Sequence, residues 1–166
     1  MKKIVLASGS PYRAELLARV LPTFTVDAPQ ADEQAREGES PGNLAARLAL
    51  LKARTVAARH PEALVIGSDQ VAAVGNRTFG KPGTTETAAR TLREASGQEM
   101  VFHTAVAVVD TKTGRTAEAL ESARARFRSL SDAEIDAYLR LDSPLDCAGA
   151  IRTESRGPLL LESLDG

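Results

Sequence analysis

The sequence predicts an α/β or α+β domain built on a mixed sheet. Three observations carry that prediction. Short apolar runs alternate with segments of helical period, Gly- and Pro-containing turns separate them, and there is no low-complexity tract, internal repeat or obvious linker. A chain of 166 residues suits one domain, of one lobe or two, and is long enough to bury a substantial core.

Ile4, Val5 and Leu6 read as a short buried strand. A Gly-containing loop follows, and then a helix for which Ser10 is the expected N-cap and Pro11 the first residue, with Leu16, Leu17, Val20 and Leu21 as its apolar stripe. Ser40, Pro41 and Gly42 open a second helix, from Asn43 to about His60, with Leu44, Leu48, Leu51 and Val56 on its apolar side. Ala63 to Val74 reads as a strand, followed by a Gly-Asn turn and the segment RTFGKPG. Thr84 to Ser96 forms a third helix. Met100 to Val109 and Thr116 to Phe127 form two strands joined by the turn Lys112-Thr113-Gly114, the second alternating Ala123, Ala125 and Phe127 with Arg124, Arg126 and Arg128. Ser131 with Glu134 makes a capping box for a fourth helix ending near Leu141.

Composition limits the function classes. With 43% hydrophobic and 26% charged residues the chain is an ordinary globular protein, and its net charge of −1 gives no footprint for non-specific binding to nucleic acid or an anionic membrane. Cys147 is the only cysteine, so no intrachain disulfide and no Cys-based metal cluster can form. The opening apolar run is broken by Ser8, Gly9 and Ser10, which is not the pattern of a signal peptide, and no segment reaches membrane-spanning length. A cytoplasmic protein is expected.

Several charged residues stand where the local pattern disfavours them. Arg13 falls in the first turn of its helix, where unsatisfied N–H groups make a cation unwelcome and an anion welcome. A phosphate would resolve the conflict by gathering Ser8, Ser10, loop N–H groups and the guanidinium around one anion. A solvated Arg13 paired with Glu15 or a distant carboxylate is the competing reading. Lys52 lies on the apolar ridge of the second helix, between Leu48 and Val56, either as a functional cation or as a stem snorkelling at the edge of the stripe. Asp69 interrupts an apolar strand, where a carboxylate is costly unless paired, hydrogen-bonded or metal-bound; an Asx-type turn at a strand end is the alternative. Lys81, between Gly80 and Pro82, is placed on bent backbone, and Asp32-Glu33 lies in a polar loop. Five potential anion binders and two carboxylates, Glu33 and Asp69, are the equipment of metal-assisted phosphoanhydride hydrolysis.

Six segments together resemble the Maf family of nucleotide pyrophosphatases linked to septum-formation inhibition: LASGSPYRAELL, DE at Asp32-Glu33, RLALLKA with Lys52, GSDQV with Asp69, GKP with Lys81, and PLDCAGA from Pro144 to Ala150. The resemblance runs over essentially the whole chain. It implies an elongated Maf/ITPase-like α/β fold, a mixed sheet flanked by helices, with two lobes and a nucleotide cleft. It also implies hydrolysis of nucleoside triphosphates to monophosphate and pyrophosphate with Mg²⁺ or Mn²⁺, and leaves a homodimer open. Family members typically continue beyond the position of Gly166 through a Val-x-Gly-Leu-Pro segment and a terminal helix.

Within the family, SDQ and DCAGAIRTE resemble the branch acting on 7-methyl-GTP, and Tyr12, Gln70 and Glu154 match its specificity positions. An aromatic face suits a methylated, positively charged purine. A carboxylate can accept from guanine N1–H and its exocyclic amine, and Gln70 offers both a donor and an acceptor. The resemblance then implies Asp69 as general base or metal ligand, Glu33 as metal ligand, and Ser8, Ser10, Arg13, Lys52 and Lys81 as phosphate binders. A dTTP/UTP pyrophosphatase of the same family, or a non-catalytic nucleotide-binding regulator of cell division, are the alternatives.

Overall fold

A computed structural model describes residues 2–166. Seven strands and four helices follow one another as β1 (Lys3–Ala7), α1 (Pro11–Ala18), β2 (Thr25–Val26), α2 (Pro41–Ala57), β3 (Ala63–Val74), β4 (Arg77–Phe79), α3 (Thr85–Ala95), β5 (Glu99–Asp110), β6 (Thr116–Phe127), α4 (Asp132–Asp142) and β7 (Leu161–Asp165). The strands are hydrogen-bonded in the order β2-β1-β3-β5-β6-β7, with β4 paired to β3. β1 runs parallel to both β2 and β3, whereas β4 and β7 are antiparallel to their partners, so the sheet is mixed. No helix among the described residues is long and apolar enough to cross a membrane.

The chain divides into two compact units. The first comprises residues 1–69 and 104–120, the second residues 70–103 and 121–166. In the first, Val5, Ala7, Val56, Ala63 and Val65 form a buried cluster between α2 and the parallel strands. Helix α2 begins as its sequence dictates: Ser40 Oγ accepts from Asn43 N–H, Pro41 occupies the first turn, and Leu44, Leu48, Ala49, Ala53 and Val56 are buried. It stops at Ala57, earlier than His60, and Leu51 is only half-buried.

The second unit is built on a larger core, in which Leu92 of α3 and Ile135, Tyr138 and Leu139 of α4 pack with Met100, Phe102 and Phe127 of the strands. The capping box of α4 forms in full, Ser131 Oγ accepting from Glu134 N–H and Glu134 accepting from Ser131 N–H. The Ser131 N–H and the Ser131 hydroxyl both donate to the Glu134 carboxylate and, with Arg128, hold it down to about 2.

Two expectations need correction. Helix α1 buries no residue, and Leu16 and Val20 of the anticipated stripe are 58% and 74% exposed. A helix of eight residues makes about two turns, too few to carry that stripe, and Val20 and Leu21 fall beyond its end. Ser10 occupies the N-cap position but makes no side-chain cap bond; the hydroxyl used locally is that of buried Ser8, which accepts from Ser10 N–H at 3.1 Å. β2, β4 and β7 have no counterpart in the sequence reading. Each is held by pairing with a longer strand, and edge pairing of short segments leaves little periodic signal.

Candidate functional site

The side chains singled out by the sequence converge most closely in the first unit. Asp69 lies within β3, buried to 6% exposure, with the Lys52 ammonium of α2 at 2.6 Å from its Oδ1. Lys52 is itself only 6% exposed and bonds at 2.9 Å to Glu33 Oε2. Arg13 Nη2 stands 3.8 Å from the same Asp69 oxygen. Two cations and two carboxylates thus meet at one place, and two of the four, Lys52 and Asp69, have their charge out of water. Such a group is tolerable because each buried charge has an opposite partner.

This arrangement narrows the readings that the sequence left open. Lys52 does not snorkel to the edge of its helix, because its ammonium is buried with its stem. Asp69 makes no strand-end turn, since β3 continues to Val74. Arg13 is paired with a distant carboxylate, Asp69, and not with Glu15, which pairs with Arg19.

Packing explains how residues 17 positions apart come within 2.6 Å. Gly67 lies two residues before Asp69 on β3, and a Cβ there would stand 2.2 Å from the Ala49 carbonyl oxygen and 2.6 Å from Ala53 N of α2. Only a residue without a side chain lets helix and strand approach so closely. Gly67 is therefore a positioning residue that the sequence reading missed. Its signal was a glycine inside an otherwise apolar strand.

Glu33 reaches the cluster from a loop that a second ion pair fixes. Arg47 of α2 donates through Nε and Nη2 to the two oxygens of Glu39, at 2.6 and 2.8 Å, and through Nη2 to the Gln34 carbonyl at 2.9 Å. Asp32 caps the same loop by accepting from Gln34 N–H. The forked guanidinium holds the Glu39 carboxyl down to about 2. At the other end of the loop, Asp27 accepts from Arg59 and shares a 2.7 Å hydrogen bond with the His60 ring, and its carboxyl is lowered accordingly.

The remaining expected residues lie elsewhere or touch the cluster less directly. Ser8 is buried behind Ser10, at the start of α1, and Tyr12 is half-buried on that helix. Gln70, Lys81 and Glu154 belong to the second unit. Gln70 and Lys81 are exposed, and Glu154 stands 3.6 Å from Arg152 Nε with its side chain 56% exposed. That is the geometry of a surface carboxylate beside Arg152. Burial pushes the Cys147 thiol up to about 12, with Asp146 adding to the shift, so it is no nucleophile near neutrality.

For a divalent cation, Glu33 and Asp69 are the two carboxylates at hand, each already facing a positive charge at hydrogen-bond distance. Among the described residues no group of three or more His, Cys, Asp and Glu side chains could hold an ion. The donor set matches a hard ion that takes one or two carboxylates from the protein and its remaining oxygens from phosphate and water, as Mg²⁺ does.

Known proteins resemble this chain over nearly its full length. Residues 3–166 match the family described as Maf-like protein. The 7-methyl-GTP pyrophosphatase of Albidiferax ferrireducens is 50% identical over 164 residues, 99% of this chain and 82% of that protein. Proteins of the same name from Polaromonas sp. and Nitrosococcus oceani are 51% and 48% identical, over 99% and 98% of this chain and 75% and 82% of their own lengths. Among solved structures, the Staphylococcus aureus Ham1 protein superimposes with a TM-score of 0.56 at 17% identity, covering 94% of this chain and 90% of that one. This last likeness concerns the fold alone.

Proposed function

Because the chain belongs to the Maf family, we propose that it is a nucleoside triphosphate pyrophosphatase whose substrate is 7-methyl-GTP. The products are 7-methyl-GMP and pyrophosphate. The observation that carries the reading is the meeting of the buried pair Lys52 and Asp69 with Glu33 and with Arg13 of α1, in a chain half identical to proteins of that name.

In this mechanism a water molecule attacks the α-phosphorus. Asp69 takes its proton through Oδ2 while Oδ1 stays with Lys52. The bond between the α-phosphorus and the bridging oxygen breaks, and pyrophosphate leaves. Arg13, Lys52 and Lys81 offset the negative charge that builds on the phosphate oxygens, and the backbone from Ser8 to Ser10 at the start of α1 holds one phosphate. Glu33, together with phosphate oxygens, would hold Mg²⁺ or Mn²⁺, which when bound neutralises phosphate charge. Tyr12 stacks on the methylated ring, and Gln70 and Glu154 read the guanine edge.

Pyrophosphate release from 7-methyl-GTP, GTP, UTP and dTTP, with Mg²⁺ or Mn²⁺ and with chelator, tests the proposal. The expected order puts 7-methyl-GTP first, with activity lost to chelator. Faster turnover of UTP or dTTP would move the chain to the pyrimidine branch, and no metal-dependent product from any nucleotide would favour a non-catalytic binder. Loss of one charge-assisted hydrogen bond is worth roughly 1.5 to 3 kcal/mol, so Glu154→Gln should lower kcat/KM for 7-methyl-GTP about ten- to a hundredfold. UTP should be little affected. Equal proportional losses for all nucleotides would return Glu154 to the role of a surface partner for Arg152.

A further inference from the structure

Glu154 lies on a short loop whose order comes from groups that the mechanism above does not use. Arg152 is its hinge: the Arg152 carbonyl accepts from Gly157 N–H at 2.9 Å and Ser155 N–H at 3.3 Å, closing the segment 152–157 on itself. A Cβ at Gly157 would stand 2.4 Å from that carbonyl oxygen, so the closure requires glycine.

The closed loop is then fastened to the C-terminal turn of α4. Tyr138, 5% exposed, accepts from Arg152 N–H at 3.0 Å through its hydroxyl oxygen. Asp142, one helical turn on along α4, is itself 6% exposed. Asp142 Oδ2 accepts from Arg156 N–H at 3.1 Å, and Arg156 Nη1 donates to the Leu141 carbonyl at the helix end. The N–H groups of Arg152 and Arg156, two residues to either side of Glu154, therefore end on two buried side chains one helical turn apart, Tyr138 and Asp142.

We propose that Tyr138 and Asp142 form a latch that positions the Glu154 loop, and so set selectivity for the base without touching the nucleotide. The inference rests on the reading of Glu154 as the carboxylate that recognises guanine. A loop freed at Arg152 would lose the preorganisation that makes one carboxylate orientation bind tightly.

The test compares Tyr138→Phe, which keeps the ring and removes the hydroxyl, with Glu154→Gln and the double variant, in the full chain. For Tyr138→Phe, KM for 7-methyl-GTP should rise roughly five- to thirtyfold, the worth of one or two hydrogen bonds. Its kcat should stay within about twofold, with KM for UTP unmoved, since a selectivity latch acts on binding and not on chemistry. Added to Glu154→Gln, it should change little more, because both act through one contact. Amide exchange at Arg152 and Arg156 should quicken. Falls in kcat shared by both nucleotides, or effects that add in full, would overturn the latch. Should Tyr138→Phe not fold, Asp142→Ala must give the same KM split and Asp142→Asn, which keeps an oxygen for Arg156 N–H, must restore it; equal behaviour of the two refutes the proposal. No selectivity change in Glu154→Gln refutes the base-reading role itself, whereas a change there with none in Tyr138→Phe refutes only the latch.

Discussion

The cluster around Asp69 and the loop around Glu154 are ordered by opposite means. In the first, side chains carry full charges out of water and are held by a helix packed on a strand; Lys52 and Asp69 are each 6% exposed. In the second, the Glu154 carboxylate is 56% exposed, and it is the backbone that is fixed, by N–H groups donated to a neutral hydroxyl and a buried carboxylate. The difference teaches where stability and function are coupled. Changes in the cluster must be felt by the fold, whereas changes at the loop should be felt by ligand preference alone.

The largest effect is expected from Lys52→Met, which keeps the apolar stem and strands the Asp69 carboxylate. Breaking a buried ion pair from one side costs about 3–5 kcal/mol, and the nearby Arg13 should keep the loss toward the lower end. By contrast, Glu154→Gln should change stability by less than about 1 kcal/mol, as for an exposed pair. Denaturant unfolding of both variants checks the contrast. The double variant Lys52→Met/Asp69→Asn should recover part of the stability, because neither partner is then left charged; no recovery would mean that the cost lies in packing and not in the ion pair.

Next in size is Gly67→Ala. Its Cβ would face a backbone oxygen at 2.2 Å, which cannot be relieved by a rotamer change, and overpacking of this kind costs about 1–3 kcal/mol. Helix α2 would have to move off β3, drawing Lys52 from Asp69, so activity should fall together with the melting temperature.

A smaller effect on the fold and a selective one on function are expected from Arg13→Ala. A guanidinium at 3.8 Å from its partner contributes less than about 1 kcal/mol to stability. A lost charge-assisted phosphate contact lowers kcat/KM about ten- to a hundredfold. A sharp fall in melting temperature alongside activity would make Arg13 a structural partner of Asp69 instead.

The gentlest probe is acid. Glu39 in the first unit and Glu134 in the second are both held down to about 2, from a usual 4.5. For a carboxylate depressed in the folded state, the stabilisation is complete above its ordinary value and is lost as pH falls from 4.5 through about 2. Glu39→Gln and Glu134→Gln should each flatten the loss of stability across that window while reducing stability at neutral pH. If only one does so, the acid sensitivity is confined to its unit.

Much of this was legible in the sequence. The long elements announced themselves through period and punctuation: Ser40-Pro41 before α2, the Ser131/Glu134 box before α4, and the Lys112-Thr113-Gly114 turn between two strands. Arg13, Lys52 and Asp69 stood out because each violates a local preference that only a partner can justify. Short elements were not legible, since two residues of β2 or three of β4 carry no period and exist only by pairing.

What the sequence by itself determined, then, is which residues had to find partners and along which helices and strands they lay. It could not decide which partners they found. Arg13 meets Asp69 and not Glu15, Lys52 turns inward and not to its helix edge, and the carboxylate beside Arg152 sits on a loop held from behind by Tyr138 and Asp142. Those outcomes depend on contacts between segments far apart in the chain, set by how closely a glycine lets a helix approach a strand and by which buried N–H groups need an acceptor. Such terms have no local signature, so the tertiary structure alone decided them.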